Sequence, residues 1–118
     1  MEPYLVCKCP MRIISPKTDK SCFFGYYDLK SYDNSDSFHL CNIAEFEDRI
    51  PTKDDVLTLG VIDLANGNFE KIDETYSWNF QQGALLQWSR CEENVAYYNV
   101  FEKGEYFTVK SMHQNGFT

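Results

Sequence analysis

The chain has 118 residues, 43% of them hydrophobic and 16% aromatic, enough apolar material for the core of one ordinary domain. Its 11 Lys and Arg against 18 Asp and Glu give a formal net charge of −7. Neither nucleic acid nor an anionic membrane surface is expected as a partner, since both reward clustered Lys and Arg.

The N-terminal "MEPYLVCKCPMRIIS" has an acidic second residue and no long apolar stretch, so it reads as neither a secretory signal nor a membrane span. The five cysteines, Cys7, Cys9, Cys22, Cys41 and Cys91, are odd in number and form no Cys-x-x-Cys pair. Reduced thiols in a cytoplasmic protein are the expectation. Cys7 and Cys9 lack a second ligand pair at zinc spacing, and neither a metal nor a cofactor is expected.

Helical periodicity is nearly absent, and an aromatic excess favours strands. In chain order, residues 38–46 ("FHLCNIAEF") predict a strand, and 47–55 ("EDRIPTKDD") a polar loop. Residues 56–64 ("VLTLGVIDL") predict a second strand, "ANGN" a tight turn with the Asn-Gly hairpin signature, and "FEKIDE" a third strand. After "SWNFQQG" come strands at 84–89, 94–101 and 106–112, separated by the turns "RCEE" and "EKGE". A final turn, "HQNG", precedes Phe117 and Thr118, where a fourth strand of the second unit would begin.

The meander repeats. Laying residues 29–43 over 85–100 brings Tyr32 onto Trp88, Leu40 onto Tyr97 and Asn42 onto Asn99 with one gap. Four antiparallel strands per unit, at a period of roughly 50 residues, fit a β-propeller blade. The predicted fold is all-β, with antiparallel four-stranded meanders forming about two propeller blades. A small β-sandwich or barrel is the alternative. Within this single all-β region, residues 1–21 read as the outer strand of a closing blade, 22–75 as a first blade and 76–118 as an incomplete second. A propeller closes with about four to eight blades, so the chain reads as an N-terminal fragment of a longer protein. Open blades would need the missing blades or self-association to cover their faces and edges.

The segments "CFFGYYDLKSY", "HLCNIAEFEDR", "SWNFQQGALLQW" and "YYNV" carry a resemblance. They resemble bacterial TolB-like proteins of six to seven propeller blades, in which an FFGYYD-type motif is followed by a WNxQQG-type motif. More distantly the chain is similar to propeller-fold oligogalacturonate lyases, a likeness of fold that transfers no catalytic residue. Here "LKSY" stands where the pattern tends to Lys-Ser-Pro-Trp, and "HLCN" where it often has His-Arg.

In a blade the first strand lies innermost. "FFGYYD" is expected to precede the first strand of one blade and "WNFQQG" that of the next, so both converge on one channel mouth. The candidate ligand-binding residues are Tyr26, Tyr27, Asp28, His39, Arg49, Trp78, Asn79, Gln81 and Gln82. Aromatic faces and carboxamides match sugar rings and hydroxyls. Each also has a plainer role. Asp28 would cap turn amides, and the glutamines would satisfy backbone between blades. His39 would be a structural histidine, and Arg49 would pair with Asp48. Trp88 and Tyr32 are assigned to packing.

No Ser-His-Asp ordering, phosphate loop or metal-spaced histidine cluster is present, so no reaction is assigned. The expected function is binding of a sugar-like or small polar ligand at the channel mouth. The alternative is a non-catalytic scaffold whose outer loops, such as 47–55, bind a protein partner.

Overall fold

A computed structural model of the chain describes residues 10–112. It is all-β, with no helix among the described residues. Seven strands follow in order: β1 (Ser21–Phe23), β2 (Phe38–Ala44), β3 (Leu57–Asp63), β4 (Phe69–Thr75), β5 (Gln87–Trp88), β6 (Val95–Glu102) and β7 (Glu105–Met112). They form two antiparallel sheets, β1-β2-β3-β4 and β5-β6-β7. Neither sheet closes on itself, so the barrel alternative falls.

Alternation along the strands decides what is buried. On β2 and β3, Leu40, Ala44, Leu57, Leu59 and Val61 share one face, which packs against Leu86, Trp88, Ala96, Tyr98 and Val100 of the second sheet. Each of the leucines and valines among them contributes about 1.5–3 kcal/mol by leaving water. The opposite face of the first sheet carries a smaller cluster, Cys41, Ile43 and Ile62 with Cys22 and Phe69. Because both faces of β2 are covered, its sequence is apolar at nearly every position rather than alternating.

The two sheets share one hydrogen-bonded plan. Tyr32 bridges His39 as Trp88 pairs with Ala96. The amide of Asp33 donates to the Phe38 carbonyl as that of Ser89 does to Val95. In the turn that follows, the Asp33 carboxylate accepts the amides of Ser37 and Phe38, and the Ser89 hydroxyl accepts those of Cys91 and Glu92. This register equates Leu40 with Tyr97 and Asn42 with Asn99, the same pairs the sequence overlay aligns.

Three features differ from expectation. "FFGYYD" does not precede the first strand of its sheet but interrupts it: β1 ends at Phe23, and the chain leaves before returning to pair at Tyr32. That excursion reaches the second sheet, where the Lys30 carbonyl accepts the Trp88 amide and the Ser31 carbonyl accepts Trp88 Nε1–H. Second, Asn66-Gly67 is not a two-residue hairpin turn. It closes a four-residue loop in which Gly67 alone has positive φ, at 77°. Third, β5 is two residues long because Leu85 adopts φ 56°, a left-handed conformation that breaks the strand.

Of the segment 1–21, residues 10–20 hold no strand, and Ser21 pairs with Ala44 in the first sheet. Cys7 and Cys9, the "HQNG" turn and the start of a fourth strand at Phe117 lie outside the described residues. No helix among the described residues is long and apolar enough to cross a membrane.

Candidate functional site

Beyond β4 the chain runs through Tyr76, Ser77 and Trp78 into a tight turn from Asn79 to Gly83. The Asn79 and Gly83 backbones exchange hydrogen bonds of 3.2 and 2.8 Å, and Asn79 Oδ1 accepts the Gln82 amide at 2.7 Å. Such side-chain capture of a following amide is what Asn offers in turns. Gly83 has φ 60°, and a Cβ there would sit 2.6 Å from Asn42 Nδ2 and 3.0 Å from the Phe24 carbonyl oxygen. A Cβ on Gly25 would lie 3.0 Å from the Gln82 carbonyl oxygen. The two glycines therefore let the backbones of the two motifs touch. Asn42, fully buried, donates Nδ2–H to the Phe24 carbonyl, while its Oδ1 has no hydrogen-bond partner among the described residues.

Gln81 joins the motifs through its side chain, donating Nε2–H to the Tyr26 hydroxyl at 2.6 Å. Trp78 is fixed differently. Its Nε1–H donates to the Asp55 carbonyl at 3.0 Å, and its ring packs among Phe23, Phe46 and Phe80 with centroids 5.0 to 6.2 Å away. Arg49 holds this arrangement from behind. Its guanidinium lies 3.7 Å above the Phe46 ring and donates to both Asp55 carboxylate oxygens at 2.7 and 2.8 Å. Arg49 thus pairs with Asp55, not with Asp48. The guanidinium, aided by the Thr52 amide, keeps the Asp55 carboxyl well below the usual range.

On this seam opens a groove of about 500 Å³. Its walls carry four aromatic rings, Tyr76, Trp78, Phe101 and Tyr106, and three carboxamide residues, Asn79, Gln82 and Asn99. Tyr76 and Tyr106 are 50% and 76% exposed, so their faces are free to be covered. Asn99 is held rigidly: its amide donates to the Ala84 carbonyl, its carbonyl accepts the Thr75 hydroxyl, and its Oδ1 accepts the Thr108 hydroxyl at 3.0 Å. Left-handed Leu85 lines the same groove, a backbone state that costs a non-glycine residue about 1–2 kcal/mol. Strain of this kind gathers at ligand clamps.

The nine sequence candidates therefore divide. Tyr26, Trp78, Asn79, Gln81 and Gln82 meet at the seam, with Trp78, Asn79 and Gln82 lining the groove. Arg49 stands behind Trp78. Tyr27 is 99% exposed and points away from any wall, and Asp28 is exposed with its carbonyl accepting Arg90 Nη2–H. His39 lies elsewhere, edge-on to Tyr32 and Phe24 in a separate apolar cavity of about 140 Å³ shared with Cys22 and Cys41. Burial holds its imidazole below the ordinary range and pushes the Cys41 thiol up to about 12. Sequence reasoning missed Tyr76, Asn99, Phe101 and Tyr106. The overlay of Asn42 on Asn99 was the available signal for one of them.

No family model, curated protein or solved structure matches this chain.

The groove's chemistry is thus the guide. Among the described residues, Lys53 is the single charged one lining it. Ring faces beside fixed amide donors and acceptors make a surface suited to holding a polar ligand.

Proposed function

We propose that the protein is a binding module on a propeller-type scaffold of the TolB-like kind, and that the groove takes a neutral, sugar-like ligand. The carrying observation is the convergence of four aromatic rings and three carboxamide residues on one groove. Stacking against Tyr76 and Tyr106 would cover the apolar face of a ring, and Gln82 and Asn99 would meet its hydroxyls. The blade reading is supported by the sense of packing. The face of the first sheet holding Leu40 and Ala44 packs on the face of the second holding Tyr98 and Val100, which correspond to Cys41 and Ile43 on the first sheet's other face. Successive sheets thus stack in one repeating direction, as blades do. Free thiols at Cys22, Cys41 and Cys91 fit a reducing, cytoplasmic setting.

NMR titration of the isotope-labelled chain with a panel of neutral oligosaccharides tests this. At least one should shift the signals of Tyr76, Asn99 and Tyr106. Tyr106→Ala, at an exposed position, should weaken binding about tenfold or more while leaving spectral dispersion intact. Shifts that cluster elsewhere, or none with any saccharide, would refute the proposal. A protein-interaction role is the second reading, favoured by Ile50, 85% exposed at the tip of the 47–55 loop. It predicts that Ile50→Asp abolishes a partner's binding while saccharide binding is unmoved.

A further inference from the structure

One wall of the groove is a turn, and that turn is built on Asp55. The Asp55 amide donates to the Thr52 carbonyl at 3.1 Å, closing a turn with Lys53 and Asp54 at its centre. Its carboxylate reaches back over the turn, accepting the Thr52 amide at 2.8 Å and the Thr52 hydroxyl at 3.1 Å. Local capture of this kind is what an aspartate side chain offers irregular backbone. Pro51, Thr52 and Lys53, the residues held this way, line the groove.

Trp78 lines the same groove, and its indole Nε1–H donates to the carbonyl of the same Asp55 at 3.0 Å. One residue thus ties the 51–53 turn by its carboxylate and the Trp78 ring by its carbonyl. Arg49 in turn holds Asp55. Its guanidinium sets two N–H groups on the two carboxylate oxygens at 2.7 and 2.8 Å, a fork that fixes direction as well as distance. It also lies 3.7 Å from the Phe46 ring centre, and Phe46 packs on Trp78 with centroids 6.0 Å apart. Arg49 therefore reaches the wall by two routes without lining the groove itself. An exposed ion pair alone contributes little. The Asp55 side chain, however, is only 17% exposed, and its carboxylate is shared between Arg49 and Thr52.

We infer that Arg49 and Asp55 are positioning residues for the groove: they set the gap between the 51–53 turn and Trp78, and so its affinity for a ring-shaped ligand, without touching that ligand. Walls locked in advance by packing and a supporting layer of hydrogen bonds lose less freedom when a ligand arrives. The role in affinity rests on the ligand reading proposed above, whereas the coupling of turn to ring stands on the hydrogen bonds alone.

NMR of the isotope-labelled 118-residue chain tests this on two indole signals: Trp78 reports the clasp, and Trp88, bonded to the Ser31 carbonyl, is the control. In Arg49→Gln and in Asp55→Ala, solvent exchange of the Trp78 indole proton should rise about three- to tenfold while Trp88 stays unmoved. Arg49→Lys keeps the charge but not the fork, so it should behave like Arg49→Gln. Unchanged Trp78 exchange would overturn the inference. So would an equal rise at both tryptophans, which marks a general loosening of the fold, or wild-type exchange in Arg49→Lys, which marks simple charge pairing. Maltohexaose and cellohexaose serve as neutral ligand probes. A probe that shifts Tyr76 and Tyr106 of the wild type should bind Arg49→Gln about three- to tenfold more weakly, and equal affinity would overturn the positioning role. If neither probe shifts them, the ligand reading is what fails, and the indole signals still decide the clasp.

Discussion

Asn42 and Asn99 occupy one ladder position in two sheets and serve different ends. Asn42 is fully buried and spends its amide on the Phe24 carbonyl, locking the start of the 24–31 excursion under Gly83. Asn99, tied by Thr108, stands in the groove wall. His39 illustrates the same dependence on surroundings. It faces aromatic rings and two thiols rather than a carboxylate, and burial depresses its pKa. The unfolded chain, with its imidazole near 6.5, then binds a proton more readily than the folded one. The contribution of neutral His39 is complete above that value and is lost as pH falls from it toward the lower folded value. Urea unfolding measured between about pH 7.5 and 5.5 should show stability falling with acid, and His39→Gln should flatten that slope. An unchanged slope in the variant would place the proton uptake elsewhere. Asp33 and Asp55, both depressed carboxyls, contribute in full across this window and lose that contribution only on further acidification through 3.8.

At the scale of elements, turns show how much local sequence can specify. Asn66-Gly67 has the composition of a two-residue hairpin turn, yet Asp63 redirects it. The Asp63 carboxylate accepts the Ala65 amide at 2.9 Å, and its carbonyl accepts the Gly67 amide at 2.7 Å, which widens the loop to four residues. The tight turn is instead Lys103-Gly104, where both residues have positive φ, 50° and 77°, between the paired Glu102 and Glu105. Lysine is poorly suited to that conformation and asparagine tolerates it. Lys103→Asn should therefore stabilise the protein by about 0.5–1 kcal/mol, read as a higher urea midpoint with an unchanged denaturant slope. A neutral or lower midpoint would show that the turn does not limit the β6–β7 hairpin. Five of the strands were legible to within a residue or two because apolar runs and turn residues are local signals. The split of the first strand was not. Its cause is the pairing of Lys30 and Ser31 with Trp88, a contact across more than fifty positions that no window of sequence contains. The site was legible in the same partial way. The two motifs announced themselves by glutamine, glycine and tryptophan, whereas Phe101 and Tyr106 look in sequence like ordinary strand aromatics.

For the molecule as a whole, the question is whether two sheets make one cooperative body. A single cluster of buried side chains runs from Leu40 and Leu57 in the first sheet to Trp88 and Tyr98 in the second. Polar links cross the same seam: Tyr98 donates its hydroxyl to Asp73 at 2.8 Å, and Thr75 donates to the Asn99 carbonyl at 2.8 Å. Burial and the Asp73 contact together raise the Tyr98 pKa, so that hydroxyl remains a donor throughout the ordinary pH range. Trp88 is the densest of these connections, 2% exposed, packed into the shared cluster and bonded to both Lys30 and Ser31. Trp88→Phe removes the indole N–H from the partly buried Ser31 carbonyl and leaves a void, together about 2–4 kcal/mol. It also leaves Trp78, at the groove seam, as the sole tryptophan of the two in the sequence. Urea unfolding of the variant followed by Trp78 fluorescence and by far-UV circular dichroism should give one coincident transition, shifted to lower denaturant in both signals. Two separated transitions would mean that the sheets unfold independently, and that the seam holding the groove is only a contact between two bodies.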